Sequence, residues 1–224
     1  MSLFRHAVFE ISVAKPGDLA PSVAPEIAFA GRSNAGKSSA INTLAGHTRL
    51  AYVSKTPGRT QLINLFRLRS GAYLVDLPGY GYAAVPESVR KQWRHLLEHY
   101  LTRRANLSGL VLIMDSRHPL TELDAQMIDW FVVTAKPIHI LLTKSDKLSR
   151  QEATKTLAMV REAVGAYGSQ ITVQLFSSLK KLGMAEAETV IGGWLSPNAS
   201  EASSLDPEKR EPPAKGEETG GVRP

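Results

Sequence analysis

Residues 31 to 38 read Gly31-Arg32-Ser33-Asn34-Ala35-Gly36-Lys37-Ser38, a glycine, four residues, a second glycine, then Lys and Ser. This is the spacing of a phosphate-binding loop. The glycines let the backbone curl so that several N–H groups converge on one phosphate chain. Lys37 adds a positive charge near the β- and γ-phosphates, and the Ser38 hydroxyl suits Mg²⁺. The surroundings agree. Glu26–Ala30 reads as a short buried strand, and the residues from Lys37 to Ala45 read as a helix, giving the strand–loop–helix order the loop requires.

Further along, Asp76-Leu77-Pro78-Gly79 would be an ordinary turn if it stood alone. At this distance after a phosphate loop it reads as an acid that holds Mg²⁺ through water and a glycine whose N–H meets a γ-phosphate. Thr143-Lys144-Ser145-Asp146 selects the base. Guanine presents two donors on one edge, and an ionised Asp146 accepts from both, whereas adenine would turn an acceptor toward that carboxylate. The stem of Lys144 can lie along the base plane. Phe176-Ser177-Ser178 is a weaker signal, credible through its position; its N–H groups suit the guanine O6. Between the first two motifs lies Ser54-Lys55-Thr56-Pro57-Gly58-Arg59-Thr60-Gln61. Here a switch loop needs one Thr to ligate Mg²⁺ and meet the γ-phosphate. Thr60 is the choice and Thr56, before Pro57-Gly58, the runner-up. Gly58, Arg59, Gln61 and Leu62 are expected to line the nucleotide beside Thr60, with Lys37 and Thr60 as the catalytic pair and Ser38 and Thr60 as metal ligands. Tyr80 stands where hydrolytic members of this class often carry a water-orienting Gln. A phenol is a poor substitute for the amide, so slow intrinsic turnover is expected. Tyr80 as a packing residue remains the other reading.

The elements that must position these residues alternate. Strands are expected at Glu26–Ala30, Leu62–Leu68, Ala72–Asp76, Gly109–Asp115, Ile138–Thr143 and Ile171–Phe176. Helices are expected at Lys37–Ala45, Ser88–Arg104, Glu122–Val133, Arg150–Val164 and Met184–Leu195. Ser149 with Glu152 forms a capping box, and Thr121 with Asp124 is a near match. Such alternation predicts an α/β fold: a mostly parallel sheet of about six strands with helices on both faces, and ligands beyond the carboxyl ends of the strands. The expected organisation is an irregular arm over 1–25 (with a possible edge strand at Ala7–Val13), a nucleotide-binding domain over 26–197, and a disordered acidic, Pro-rich tail over 198–224.

The chain has 224 residues, no Cys, and 27 Lys+Arg against 21 Asp+Glu. Disulfides and thiolate metal sites are excluded. There is no apolar run of membrane-spanning length and no secretion signal, so a cytoplasmic protein is expected. The last 27 residues hold six acids and four bases, which leaves the rest of the chain at +8. That mildly favours a polyanionic partner such as RNA.

Taken together, Pro25 to Ser39, Lys55 to Gln61, Asp76 to Ala83 and Leu142 to Lys147 resemble the EngB (YihA/YsxC-type) bacterial GTPases, of the TrmE-Era-EngA-EngB-Septin-like class. The resemblance runs from about Phe9 to Leu195; Ala35 stands where Val is commoner. It implies a Ras-like P-loop G domain that binds GTP and GDP with Mg²⁺, and metal ligands at Ser38 and Thr60. It also implies a role in assembling the large ribosomal subunit, on rRNA and ribosomal proteins, with a linked requirement for normal cell division and septation. Asn34 matches a position that in related GTPases coordinates a monovalent cation such as K⁺; shaping the loop is its other reading.

The helix Ser88–Arg104 has two sides. Val89, Trp93, Leu96, Leu97, Tyr100 and Leu101 form an apolar face expected in the core. Arg90, Lys91, Arg94, Arg103 and Arg104 form a basic face that is either solvated or a contact for rRNA. The function expected is a GTP-driven switch acting on the large ribosomal subunit or its precursor. A monomer is expected, engaging neither DNA nor a membrane. The rivals are a nucleotide-stabilised scaffold with incidental hydrolysis, an ATP-using P-loop enzyme, disfavoured by Asp146, and a division-specific factor acting on septum proteins.

Overall fold

The computed structural model describes residues 3–14, 16–51, 62–81 and 87–195. The expected switch residues Thr56, Gly58, Arg59, Thr60 and Gln61, and the expected tail over 198–224, lie outside the described residues. The strands are β1 (Val8–Val13), β2 (Glu26–Gly31), β3 (Ile63–Arg67), β4 (Tyr73–Asp76), β5 (Leu107–Asp115), β6 (Ile138–Thr143) and β7 (Ile171–Leu175). The helices are α1 (Lys37–Ala45), α2 (Glu87–Arg103), α3 (Glu122–Val132), α4 (Arg150–Gly165) and α5 (Met184–Gly193).

The strands form one sheet in the order β1-β3-β4-β2-β5-β6-β7. β1 and β4 each run antiparallel to β3, and the remaining neighbours are parallel. β2 is buried along its whole length, as its apolar Ile27-Ala28-Phe29-Ala30 run requires of a strand covered on both faces. On one face Ala28, Leu110 and Ile140 pack against Leu97 and Tyr100 of α2, Phe131 of α3 and Val160 of α4. On the other, Phe29, Val111 and Leu141 meet Ile41 and Leu44 of α1 and Ile191 of α5. Burying each such side chain stabilises the fold by about 1.5–3 kcal/mol before ordering entropy is counted.

Because β2, β4, β5, β6 and β7 point the same way, Gly31, Asp76, Asp115, Thr143 and Phe176 come out along one edge of the sheet. Two glycines permit this packing. A Cβ on Gly31 would lie 2.8 Å from the carbonyl oxygen of Ile113 on β5, so the strands approach each other there more closely than any side chain allows. Gly183, at φ 77°, opens α5 in the left-handed region, and a Cβ there would come within 2.3 Å of the Leu175 carbonyl oxygen. Both expected capping boxes are present, at Thr121 for α3 and at Ser149 for α4.

Of two expectations about the ends of elements, one is met and one needs revision. The possible edge strand at Ala7–Val13 is present and is built into the sheet. β1 pairs along β3 from Val8–Arg67 to Val13–Ile63, and Phe4, Ala7 and Val13 are buried. With it the sheet has seven strands, close to the six expected. A one-residue irregularity between Phe9 and Ile11 breaks its alternation, which is why its period was faint in the sequence. The revision concerns Arg104. Its guanidinium pairs with the fully buried Glu26 carboxylate at 2.7 Å and donates to the Ala20 carbonyl. Tyr100 donates to the same carboxylate at 2.7 Å. Arg104 thus closes the end of the sheet opposite the motifs and leaves the basic face of α2 to Lys91, Arg94 and Arg103, which are exposed.

Candidate nucleotide site

The phosphate loop follows directly from β2. Asn34 takes φ 65° and Gly36 φ 101°, and these two left-handed residues curl the chain between Gly31 and α1. Gly36 then opens α1 without a side chain to cap it. The N–H groups of a helix's first turn have no intrahelical partner, so this end of α1 suits a phosphate. Lys37 is largely buried, and its Nζ donates to the carboxylate of Asp76, the last residue of β4. The sheet register explains the meeting, since Asp76 lies beside Phe29 just before the loop begins. The next segment, Leu77-Pro78-Gly79-Tyr80, runs alongside the loop. The Leu77 N–H donates to the Phe29 carbonyl at 3.0 Å, the Tyr80 N–H to that of Gly31 at 3.3 Å, and the Ser33 N–H to that of Tyr80 at 2.8 Å. A Cβ on Gly79 would stand 3.1 Å from the Ser33 hydroxyl, so this segment lies close against the loop.

The side chain of Tyr80 has a separate anchor. It is buried, and its hydroxyl donates to Asp124 Oδ1 at 2.7 Å. The other oxygen of Asp124 accepts from the Thr121 N–H and hydroxyl at the start of α3. Burial first, and the neighbouring Asp124 carboxylate second, push the phenol pKa well above its usual value. Of the two readings of Tyr80, the packing one describes what its side chain does in this structure.

Thr143–Asp146, the expected base-selecting motif, adjoins the loop. Thr143 ends β6, and its hydroxyl donates to the Ala35 carbonyl of the loop and to the Met114 carbonyl at 3.0 Å. Lys144 takes φ 56° and extends its Nζ to the Asn34 carbonyl at 2.5 Å and to Asp115 Oδ2 at 2.9 Å. Ser145 donates to the Phe176 carbonyl at 3.0 Å, and the Phe176 N–H to the Leu142 carbonyl at 2.8 Å. The Ser177 hydroxyl donates to Asp146 Oδ1 at 2.5 Å and accepts from the Lys180 N–H at 3.1 Å. The three segments thus form one bonded surface, with Ser178 following Ser177 in the turn and Leu62, exposed, preceding β3.

The chain matches the model of the 50S ribosome-binding GTPase family over residues 26–144. It is 72% identical over 195 residues to a probable GTP-binding protein EngB from Aromatoleum aromaticum, spanning 87% of this chain and 90% of that protein. The chain belongs to the EngB family of GTP-binding proteins. A probable GTP-binding protein EngB from Neisseria meningitidis serogroup B is 57% identical, over 93% of this chain and 100% of that protein. The fold agrees. The crystal structure of a probable EngB superposes with TM-score 0.62 at 20% identity, covering 76% of this chain and 98% of that one. A variant of Aquifex aeolicus Era bound to GDP and aluminium fluoride gives 0.59 at 16%, over 76% and 56%.

In this EngB fold one residue bonded to these motifs was missed by motif reading. Asp115, the last residue of β5, is nearly buried and takes Lys144 and Arg117 on the same carboxylate. Burial by itself would raise its pKa; hydrogen bonds from Arg117 and Lys144 outweigh that and hold it well below the usual carboxylate range. The signal available was an acid closing an apolar strand with Arg two residues on. No described helix is long and apolar enough to cross a membrane.

Proposed function

We propose that the chain is a Mg²⁺-dependent GTPase switch that docks on the large ribosomal subunit or its precursor and supports its assembly. The observation that carries this reading is the continuous surface joining the Asn34–Gly36 loop, Thr143–Asp146 and Ser177. One site there offers N–H groups and Lys37 to phosphates and an acceptor carboxylate to a base with two donors. Lys37 holds the β- and γ-phosphates, Gly79 offers its N–H to the γ-phosphate, and Asp146 reads the guanine edge. Ser38, Thr60 and, through water, Asp76 are the residues that would hold Mg²⁺. The ion would offset phosphate charge during attack by water. The cradle fits such a ligand, since Gly36 and Asn34 already curl the loop and Lys37 and Asp76 already meet. Asn34 is the residue that would contact a K⁺ ion, and faster hydrolysis in KCl than in NaCl would be its sign.

With Tyr80 tied to Asp124, no amide follows Gly79 to orient water, which supports slow intrinsic turnover. Loss of the γ-phosphate releases the segment carrying Thr60 and the segment after Asp76, and α2 begins just beyond the latter. Its exposed Lys91, Arg94 and Arg103 supply the charge for rRNA. A defect in cell division and septation follows when subunits fail to assemble.

The test is co-sedimentation with large ribosomal subunits in GDP or a non-hydrolysable GTP analogue, at two salt concentrations. Analogue-dependent binding that weakens with salt, and falls further in Arg94→Glu/Arg103→Glu, is expected. Equal or absent binding in both nucleotides would overturn the ribosomal part of the reading. A GTP-over-ATP competition tests the nucleotide part separately.

A further inference from the structure

Asp115 lies outside the five stretches that make up the nucleotide site, yet its register places it directly beside Thr143, the first residue of the base-selecting motif. Its carboxylate is surrounded by donors. Oδ1 accepts from Arg117 Nε at 2.9 Å and from the Arg117 N–H at 3.1 Å. Oδ2 accepts from Arg117 Nη2 at 2.6 Å and from Lys144 Nζ at 2.9 Å. The same Nζ donates to the Asn34 carbonyl at 2.5 Å. A bonded path therefore runs from Arg117 through Asp115 and Lys144 to the phosphate loop.

We infer that Asp115 is a positioning residue for guanine-nucleotide binding, which fixes Lys144 so that one side chain braces the phosphate loop while its stem lies where a base would rest. Lysine has four rotatable bonds and loses much freedom when held. Its backbone is already in the left-handed region at φ 56°, which aims the side chain but does not fix its end. The carboxylate does that, because a charge-assisted bond is about twice as strong as a neutral one. Arg117 takes the remaining lone pairs and keeps the carboxylate from turning away. An Asn at 115 would keep the shape and lose the charge, and its amide could face the ammonium with a donor. Arg117→Gln would keep the Asp115 charge and loosen its hold.

This inference rests on the guanine reading of Asp146, and the experiment separates the two. Dissociation constants of a fluorescent GDP analogue are measured for the full chain and for Asp115→Asn, Lys144→Ala and the double variant, with melting temperatures taken without nucleotide. Asp115→Asn is expected to weaken GDP binding about tenfold, the order a charge-assisted bond supplies, and to have almost no further effect once Lys144 is Ala. The same loss in both backgrounds, or no loss in either, overturns the inference and leaves Asp115 a structural residue. Should Asp115→Asn fail to fold, Arg117→Gln takes its place in the same cycle, with a loss of about threefold that also vanishes in the Lys144→Ala background. ADP competition against the unaltered chain judges the guanine reading alone: if ADP displaces the analogue as well as GDP does, that reading fails whatever the cycle gives.

Discussion

The hydroxyl of Ser177 donates to Asp146 Oδ1 at 2.5 Å, across 31 residues of chain. The carboxylate proposed to read the base is therefore aimed by the residue after β7, and Ser177 itself is fully buried. Ser177→Ala should leave the fold intact and weaken GDP binding about three- to tenfold, within the range of one typical hydrogen bond. Asp146→Asn goes further, since its amide presents a donor where guanine also presents one. It should bind xanthosine diphosphate, which carries a carbonyl there, better than GDP. Competition with the two nucleotides measures both effects.

Tyr80→Phe removes a buried donor and leaves Asp124 Oδ1 without it. The expected cost is about 1–3 kcal/mol in denaturant unfolding, with single-turnover GTP hydrolysis changed less than threefold. A collapse of hydrolysis at unchanged stability would show the phenol acting on the reaction instead.

His139 is buried on β6, between the Thr172 hydroxyl at 2.7 Å and the Gln174 side-chain oxygen at 2.8 Å. With Nε2 donating to Gln174 and Nδ1 accepting from Thr172, the site suits the neutral ring. Burial lowers its pKa from 6.5, and the Gln174 bond offsets this in part. The folded protein thus holds the proton less readily than the unfolded chain. Stability contributed by this group is complete above pH 6.5 and is lost as pH falls from there through the folded pKa. Urea midpoints should decline over that window, and His139→Gln should flatten the decline.

Ser116 Oγ is the one buried side-chain polar atom among the described residues without a hydrogen-bond partner. Ser116→Ala should therefore leave stability unchanged or raise it, by up to about 1 kcal/mol. Thermal melts check the sign, and a lower midpoint would show that the hydroxyl has a partner.

The contrast between Ser177 and Tyr80 shows what was legible in the chain. Local signals carried far. The apolar run of β2, the boxes at Thr121 and Ser149 and the spacing from Gly31 to Ser38 placed strands, helices and loop correctly, since each rests on neighbours a few residues apart. The place of Thr143–Asp146 at the end of β6 was equally readable, because the apolar run before it marks the strand. What stayed hidden depends on distant partners. Nothing near Tyr80 indicates that its hydroxyl meets Asp124, 44 residues on. Nothing near Arg104 announces Glu26, and β1 was faint because an edge strand with an irregular register has no clean alternation. Asp115 carried a weak local signal whose meaning required Lys144 beside it.

The strand order also bears on how the protein is made. β5, β6 and β7 lie in the sheet in the order of their synthesis, outward from β2. A chain extruded from its N-terminus can add them one at a time, each to an edge already standing, with α3 and α4 laid down between. β1 has no such fortune. It is translated first, and Val13 must wait for Ile63 before it has a partner, with Val8, Phe9 and Ile11 still half exposed after pairing. During translation this N-terminal ribbon is the strand left longest without a neighbour, and so the place where a nascent-chain chaperone would have most to cover.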